Sequence, residues 1–348
     1  MILGSPGTGE TFTAQDLVRD LREAGLRADI VAKCHVAVQN FGMGAKTADH
    51  YCIKYITRGS CRADAVFVEE QSQVNTYLWN DLRKLKLKRI AFVLLGDWAQ
   101  LDAVMDTWAG WAVKAGALER SDVVYELAEG YRMTLTENKR SDPPLFDFYC
   151  GLRAGTSQAR MLHDALGEAR RVFPMMKGDA DHYLTIMHRT RELINERMNV
   201  RCAPFGAIFY QYEGEDDKQQ SMHLWPGMLL VGSGGKCKKG VFFTVATVDE
   251  DQLTLESKMK GDEGEELTDS MTISADTAIK CLRPAWAINY AGCQGLTLCG
   301  RVRLLETDHP HFGLKHLCRI QSGYGRLSIT GSLTLQCSLN QNACAACL

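Results

Sequence analysis

Long apolar runs are the first thing missing from this sequence. None of its 348 residues fall in a run of roughly 18 or more apolar side chains, the length that reads as a membrane-spanning helix. The opening MILGSPGTGE has neither the basic stretch nor the apolar core of a signal peptide. An excess of charge of either sign is missing too. Forty Lys and Arg against 42 Asp and Glu leave a net −2, which excludes a whole-molecule attraction to nucleic acid while allowing a local basic groove. Metal-type cysteine patterning is sparse: of 13 cysteines only Cys344 and Cys347 have ligand-like spacing, with no second pair or His beside them. The odd count, in a chain large enough to build a core without cross-links, favours thiols over disulfides. Ala345 at the fourth-last position excludes a prenylation signal. Repeats and low-complexity segments are absent. These absences give the expectation of a soluble intracellular protein with no membrane partner. What is present, 45% hydrophobic and 24% charged residues, is a globular composition long enough for two domains and a small third.

Periodicity divides the chain. An apolar stub at residues 1–3 runs into a Gly-rich loop, and residues 14–24 then have helical spacing until Gly25. Short apolar runs at 65–68 and 91–95 end in or near acidic residues, with a helical stretch at 76–85 between them. Strands alternating with helices predict a parallel α/β sheet. A second α/β pattern starts near Pro143, with a helix at 145–152, a strand at 183–187 and a helix at 190–200. From 202 to 279 the helical period disappears, and β-rich runs at 207–210, 228–231, 241–248 and 252–255 alternate with Gly and charged turns. Strands at 301–305 and 327–330 resume the earlier pattern. The expected division is a first domain over 1–143, a second over 144–198 and 284–331, a small β-barrel insertion over 199–283, and an unstructured tail over 332–348. The densest basic run, RKLKLKR at 83–89, reads as a solvated helix end before a strand, with nucleic-acid contact the competing reading.

Four motifs carry chemistry. Gly4-Ser5-Pro6-Gly7-Thr8-Gly9-Glu10-Thr11 fits the phosphate-loop pattern G-x-x-x-x-G-K-[ST] except at the lysine. A strand before it and a helix after it favour this reading over a bare Gly-rich turn. Such a loop turns backbone N–H groups toward phosphates at a helix N-terminus, and Thr11 offers a hydroxyl to Mg²⁺. Glu10 stands where a cation is needed. Two unit charges about 4 Å apart interact by roughly 4 kcal/mol at an effective dielectric near 20, so the exchange of attraction for repulsion costs several times RT. Val66-Phe67-Val68 ends in Glu69 and Glu70, one acid placed to hold a metal and the next to activate water, although a solvated turn would also put two acids there. Leu95-Gly96-Asp97-Trp98-Ala99-Gln100-Leu101 and Leu135-Thr136-Glu137-Asn138-Lys139-Arg140-Ser141 follow in order.

As an ordered set these motifs resemble the superfamily 1 helicases of the RecD/PIF-like kind. The resemblance implies two RecA-like P-loop domains with parallel sheets and a small SH3-like β-barrel inserted in the second. It implies ATP and Mg²⁺ as cofactors and a single strand of nucleic acid, DNA ahead of RNA, as partner. Nucleotide contact then falls to Gly4, Pro6, Gly7, Thr8, Gly9, Glu10, Thr11, Asp97, Gln294 and Gly295. Thr11 and Glu69 hold the metal, the latter in place of the family's Asp. Glu70 is the general base, Gln100 senses the γ-phosphate, and Arg140 is an arginine finger. Further along, LTIMHRTRELIN at 184–195 is similar to a strand-helix segment of the second domain. WAINYAGCQGLT at 286–297 is similar to A-x-T-x-H-K-x-Q-G-x-T, with Gln294, Gly295 and Thr297 matching and Asn289, Ala291 and Gly292 departing. The last motif, ending in S-R, falls on Ser322 and Gly323, with Arg326 three residues on. Departures thus concentrate at charge-bearing positions: Glu10, Glu69, Ala291, Gly292 and Gly323. The family's upstream adenine pocket is also expected to be missing, since the sequence begins three residues before the loop. The function implied is NTP-driven unwinding or translocation with impaired or lost ATPase. The alternatives are a non-catalytic nucleic-acid-binding or interaction module, or a truncated fragment. A P-loop metabolic kinase would not account for Arg140 or Gln294-Gly295.

Overall fold

The computed structural model describes residues 1–139, 142–154, 162–174, 177–214, 219–261, 265–293, 295–296, 298, 300–317 and 327–329. Three sheets organise it. The first has six strands in the order Lys46–Thr47, Ala28–Ala32, Ala65–Glu69, Ala91–Gly96, Ile2–Gly4, Met133–Leu135, and every pairing in it is parallel. Burial on both faces explains the apolar runs seen in sequence. Val66 and Val68 pack with Tyr51, Trp79 and Leu82 on one side, while Phe67 meets Ala14 and Val18 of the helix Glu10–Glu23 on the other, as the two-residue period of a strand requires.

A second parallel sheet orders Ala287–Asn289, His182–Thr185, Val302–Leu304 and Leu327–Ile329. Beside it runs the helix His188–Cys202, whose buried positions include Asn195 and Asn199. Each asparagine replaces a missing strand neighbour. The Asn195 amide donates to Ala287 O (3.1 Å) and accepts from Ala287 N–H (2.8 Å). Asn199 donates to His223 O and accepts from His223 N–H, both at 2.7 Å.

The third sheet is antiparallel throughout, in the order Glu266–Ser274, Gln252–Lys260, Phe242–Val248, Leu229–Gly232, Leu282–Pro284. It shares no strand with either parallel sheet. Leu230, Phe243, Val245, Leu253, Leu255 and Ile273 form its inner face and join one apolar cluster with Leu145, Tyr149 and Leu184. A separate two-stranded pair joins Ile208–Tyr210 to Met222–Leu224.

Several expectations need correction. The stretch read as free of helix contains Ala275–Cys281, opened by Ser274, whose hydroxyl accepts from Thr277 N–H. Its seven residues are too few to set up a visible period. The helix at His188–Cys202 and the strand Leu282–Pro284 each run past the expected insertion limits of 199 and 283. The strands Ala28–Ala32, Met133–Leu135 and Glu266–Ser274 were not anticipated. The basic run forms a helix end and a 3-10 turn over Lys84–Lys88, with Arg83 on Glu126, Lys84 on Asp81 and Lys86 on Glu129, in keeping with a solvated helix end. Among the described residues no helix is long and apolar enough to cross a membrane. The expected tail at 332–348 lies outside the described residues.

Candidate nucleotide site

The loop between Ile2–Gly4 and Glu10–Glu23 is closed by Ser5 O, which accepts from Thr8 N–H (3.1 Å) and from the Thr8 hydroxyl (2.8 Å). Closure this tight needs Gly4: a Cβ there would lie 2.1 Å from Thr8 Oγ1. Gly7 and Gly9 have φ of 90° and 93°, the left-handed region that side chains avoid. Gly9 caps the helix without a side-chain hydrogen bond, so the leading N–H groups face the loop as an anion cradle does. Into this cradle the first helical residue brings a carboxylate. The Glu10 stem leans back over Gly4, its Cγ and Cδ 3.1 and 3.2 Å from where a Cβ would stand.

Across from the loop, the buried strand Ala65–Glu69 delivers Glu69. The Thr11 hydroxyl donates to Glu69 Oε1 at 2.7 Å, while Oε2 is buried and accepts no hydrogen bond. The Glu69 carboxyl is raised to about 7, chiefly by burial and next by the neighbouring Glu70 charge, against the lowering pull of the Thr11 hydroxyl. A hard cation taking the Thr11 hydroxyl and the open Glu69 oxygen fits this donor pair. Glu70 turns the chain with φ 53° and ψ 50°, a left-handed conformation that is strained for a non-glycine residue. Next to it the strand Ala91–Gly96 ends in a glycine at φ 137°, where a Cβ would sit 3.0 Å from Gln71 N. Only glycine lets the two acidic strand ends lie this close. Asp97 is buried, and its carboxylate accepts from Ala99 N–H at 2.9 Å. Asp97 O accepts from Gln100 N–H at 3.2 Å in the same turn.

Pro6, Gly7, Gly9, Glu10, Thr11, Glu69, Glu70, Gln100 and Gly295 line one cleft of about 810 Å³. Gly4, Thr8 and Asp97 support it from behind and do not line it. Its far wall is the antiparallel sheet, through Phe242, Thr244, Lys258 and Lys260. The tip of the 252–274 hairpin docks at Gly42, where a Cβ would meet Lys260 O at 2.7 Å and Gly261 O at 2.8 Å. The Asn40 amide donates to Gly295 O at 2.6 Å, so the 286–297 motif reaches the first sheet's side. Asn289 donates to Ile186 O at 2.9 Å; Ala291 and Gly292 are exposed. Arg140, Gln294, Thr297, Ser322, Gly323 and Arg326 lie outside the described residues.

Sequence reasoning missed Lys139, Asn40 and the two lysines of the hairpin. Lys139 had a signal, since it stands inside a quoted motif, and its N–H donates to Gly7 O at 2.8 Å. The hairpin lysines had none, because their approach depends on a contact across some two hundred residues of chain. The backbone cradle and the Thr11–Glu69 pair suit a nucleotide phosphate and a divalent cation; the side chain at position 10 does not.

The AAA domain family matches residues 1–169. No curated protein matches the chain. Among solved structures, the Pif1 helicase from Candida albicans superposes over 94% of this chain and 89% of its own with a TM-score of 0.60, at 18% sequence identity. The PRRSV helicase aligns over 96% of this chain and 52% of its own at 11% identity, with a TM-score of 0.39, too low for any argument. The likeness at 18% identity is one of fold, and with the family match it bears out the resemblance read from the motifs. Residues 1–169 thus match the AAA domain family, and the chain shares its fold with the Pif1 helicase, its parallel strands fitting a RecA-like P-loop core.

Proposed function

We propose that this protein is a helicase-fold module that engages single-stranded nucleic acid, DNA ahead of RNA, and has lost most or all ATP turnover. The observation that carries the reading is Glu10, an acid at the head of the phosphate-loop helix, facing the same cleft as Glu69 and Glu70. Glu10, Glu69 and Glu70 put three carboxylates on the loop side of a site that has to accept a polyphosphate, and a lysine contact that would lower the charge of the transition state is replaced by one that raises it. Mg²⁺ would be held by Thr11 and Glu69, and the phosphates by the backbone of Pro6, Gly7 and Gly9. Gln100 and Glu70 keep positions suited to a γ-phosphate sensor and a general base. Arg140, the expected finger, follows Lys139 directly.

On this reading residues 144–198 and 284–331 form a second RecA-like domain. The antiparallel strands between them are the SH3-like insertion, supported by their separate sheet and by its own inner face. The intact Thr11–Glu69 hydrogen bond and the position of Glu70 favour a second reading, an ATPase that still turns over at reduced rate.

ATP hydrolysis by the purified chain, with and without single-stranded DNA or RNA, separates the two. Turnover at assay background, together with retained oligonucleotide binding, is the expected result, and Glu10→Lys should strengthen nucleotide binding with little gain in hydrolysis. Hydrolysis at an ordinary helicase rate, abolished by Glu70→Gln, would overturn the proposal. So would a failure to bind either oligonucleotide.

A further inference from the structure

We propose that Lys139 supplies, from outside the phosphate loop, the phosphate-binding cation that position 10 lacks. The inference rests on reading the cleft as a former ATPase site, and it assigns to that site a residual binding function of its own.

Two contacts fix where Lys139 stands. Its N–H donates to Gly7 O at 2.8 Å, so its backbone is pinned to the crown of the loop. Its Cγ lies 4.0 Å from where a Cβ on Gly9 would be, so its stem passes directly over the residue that caps the helix. Three more bonds of about 1.5 Å each carry the ammonium onward, far enough to sweep the mouth of the cradle. Lys139 lines the same cleft as Glu10, Thr11 and Glu69.

Its present partner does not hold it there. Nζ pairs with Glu137 Oε1 at 2.6 Å, but the two side chains are 57% and 76% exposed. Ion pairs this open are weak and screened, so a polyphosphate carrying several charges outcompetes one solvated carboxylate. The other lysines of the cleft are less well placed. Lys258 pairs with Glu266 on the hairpin and is 80% exposed, and Lys260 lies at the hairpin tip against Gly42 rather than on the loop. The flexible four-carbon stem of lysine suits the role, since the ammonium acts as a point charge and needs no fixed geometry.

The test is titration of the full chain with Mg²⁺ and ATP, and separately with Mg²⁺ and tripolyphosphate, by calorimetry. The parent protein should bind both probes. Lys139→Ala and Lys139→Gln should each weaken both by about tenfold or more, the loss of one charge-assisted contact, with thermal unfolding unchanged. Lys139→Arg should keep most of the affinity. Adding Glu10→Lys to Lys139→Ala should restore binding to the parent level or above, because the cation has been moved back. Equal affinity in parent and in Lys139→Gln would overturn the proposal, as would a parent that binds neither probe. Neither outcome touches the loss-of-turnover reading, which stands or falls on hydrolysis and oligonucleotide binding.

Discussion

The ends of the strands Ala65–Glu69 and Ala91–Gly96 and the helix His188–Cys202 bury polar side chains in opposite ways. On the helix, Asn195 and Asn199 each complete the hydrogen bonding of one backbone residue, so burial of two amides stabilises the fold. At the strand ends, Glu69 is buried beside Glu70 with one oxygen lacking a hydrogen bond, and Gly96 holds a conformation closed to other residues. The two asparagines are matched from within. The strand ends keep an unmatched acceptor and backbone strain, the condition of a surface shaped for something that is not part of the chain.

If this contrast is right, Asn195→Ala should have the largest effect on stability. It leaves both backbone groups of Ala287 unpaired in the interior, at about 3 kcal/mol, read as a lower midpoint in urea unfolding. A loss below about 1 kcal/mol would show that water replaces the amide and would erase the contrast.

Next comes pH. The Glu69 carboxyl is raised from 4.5 to about 7 by burial and by Glu70, so the folded state holds this proton more tightly than the unfolded state. The stability this gives is fully present below pH 4.5 and is lost as pH rises through 7. Glu69→Gln should therefore change little at pH 4 and stabilise at pH 8, by about 2–3 kcal/mol. Parallel pH profiles for the two proteins would sink the idea.

Gly96→Ala should cost about 2 kcal/mol through its φ and its approach to Gln71. It should also disturb nucleotide binding, since it moves Glu70. Smallest is Arg83→Ala. The Arg83–Glu126 pair is about half exposed on both sides, so its removal should cost under about 1 kcal/mol. Affinity for single-stranded oligonucleotides should not change, because Arg83 is already paired with Glu126.

The elements that could be read in the sequence are those whose signal is local. Val66-Phe67-Val68 announces a strand buried on both faces, and the glycines of residues 4–9 announce a loop that needs left-handed backbone. Glu10 could be read as a defect because the lysine position is fixed by its neighbours. Met133–Leu135 could not be read, since two of its three residues are exposed and it owes its place to pairing with Ile2–Gly4. Glu266–Ser274, with two charges and most positions exposed, is a strand only because Gln252–Lys260 pairs with it along its whole length. Lys139 was visible as a residue but not as a contact, because the motif gives its order in the chain and not its distance from Gly7.

The two asparagines also have a mechanical consequence. Residues 195 and 199 are four apart, one turn of one helix face, yet they grip different β segments, one at Ala287 and the other at His223. Neither segment can slide along the helix without breaking its paired hydrogen bonds together. The helix is therefore a yoke that fixes the register of the 208–224 strand pair against that of the Ala287–Asn289 strand.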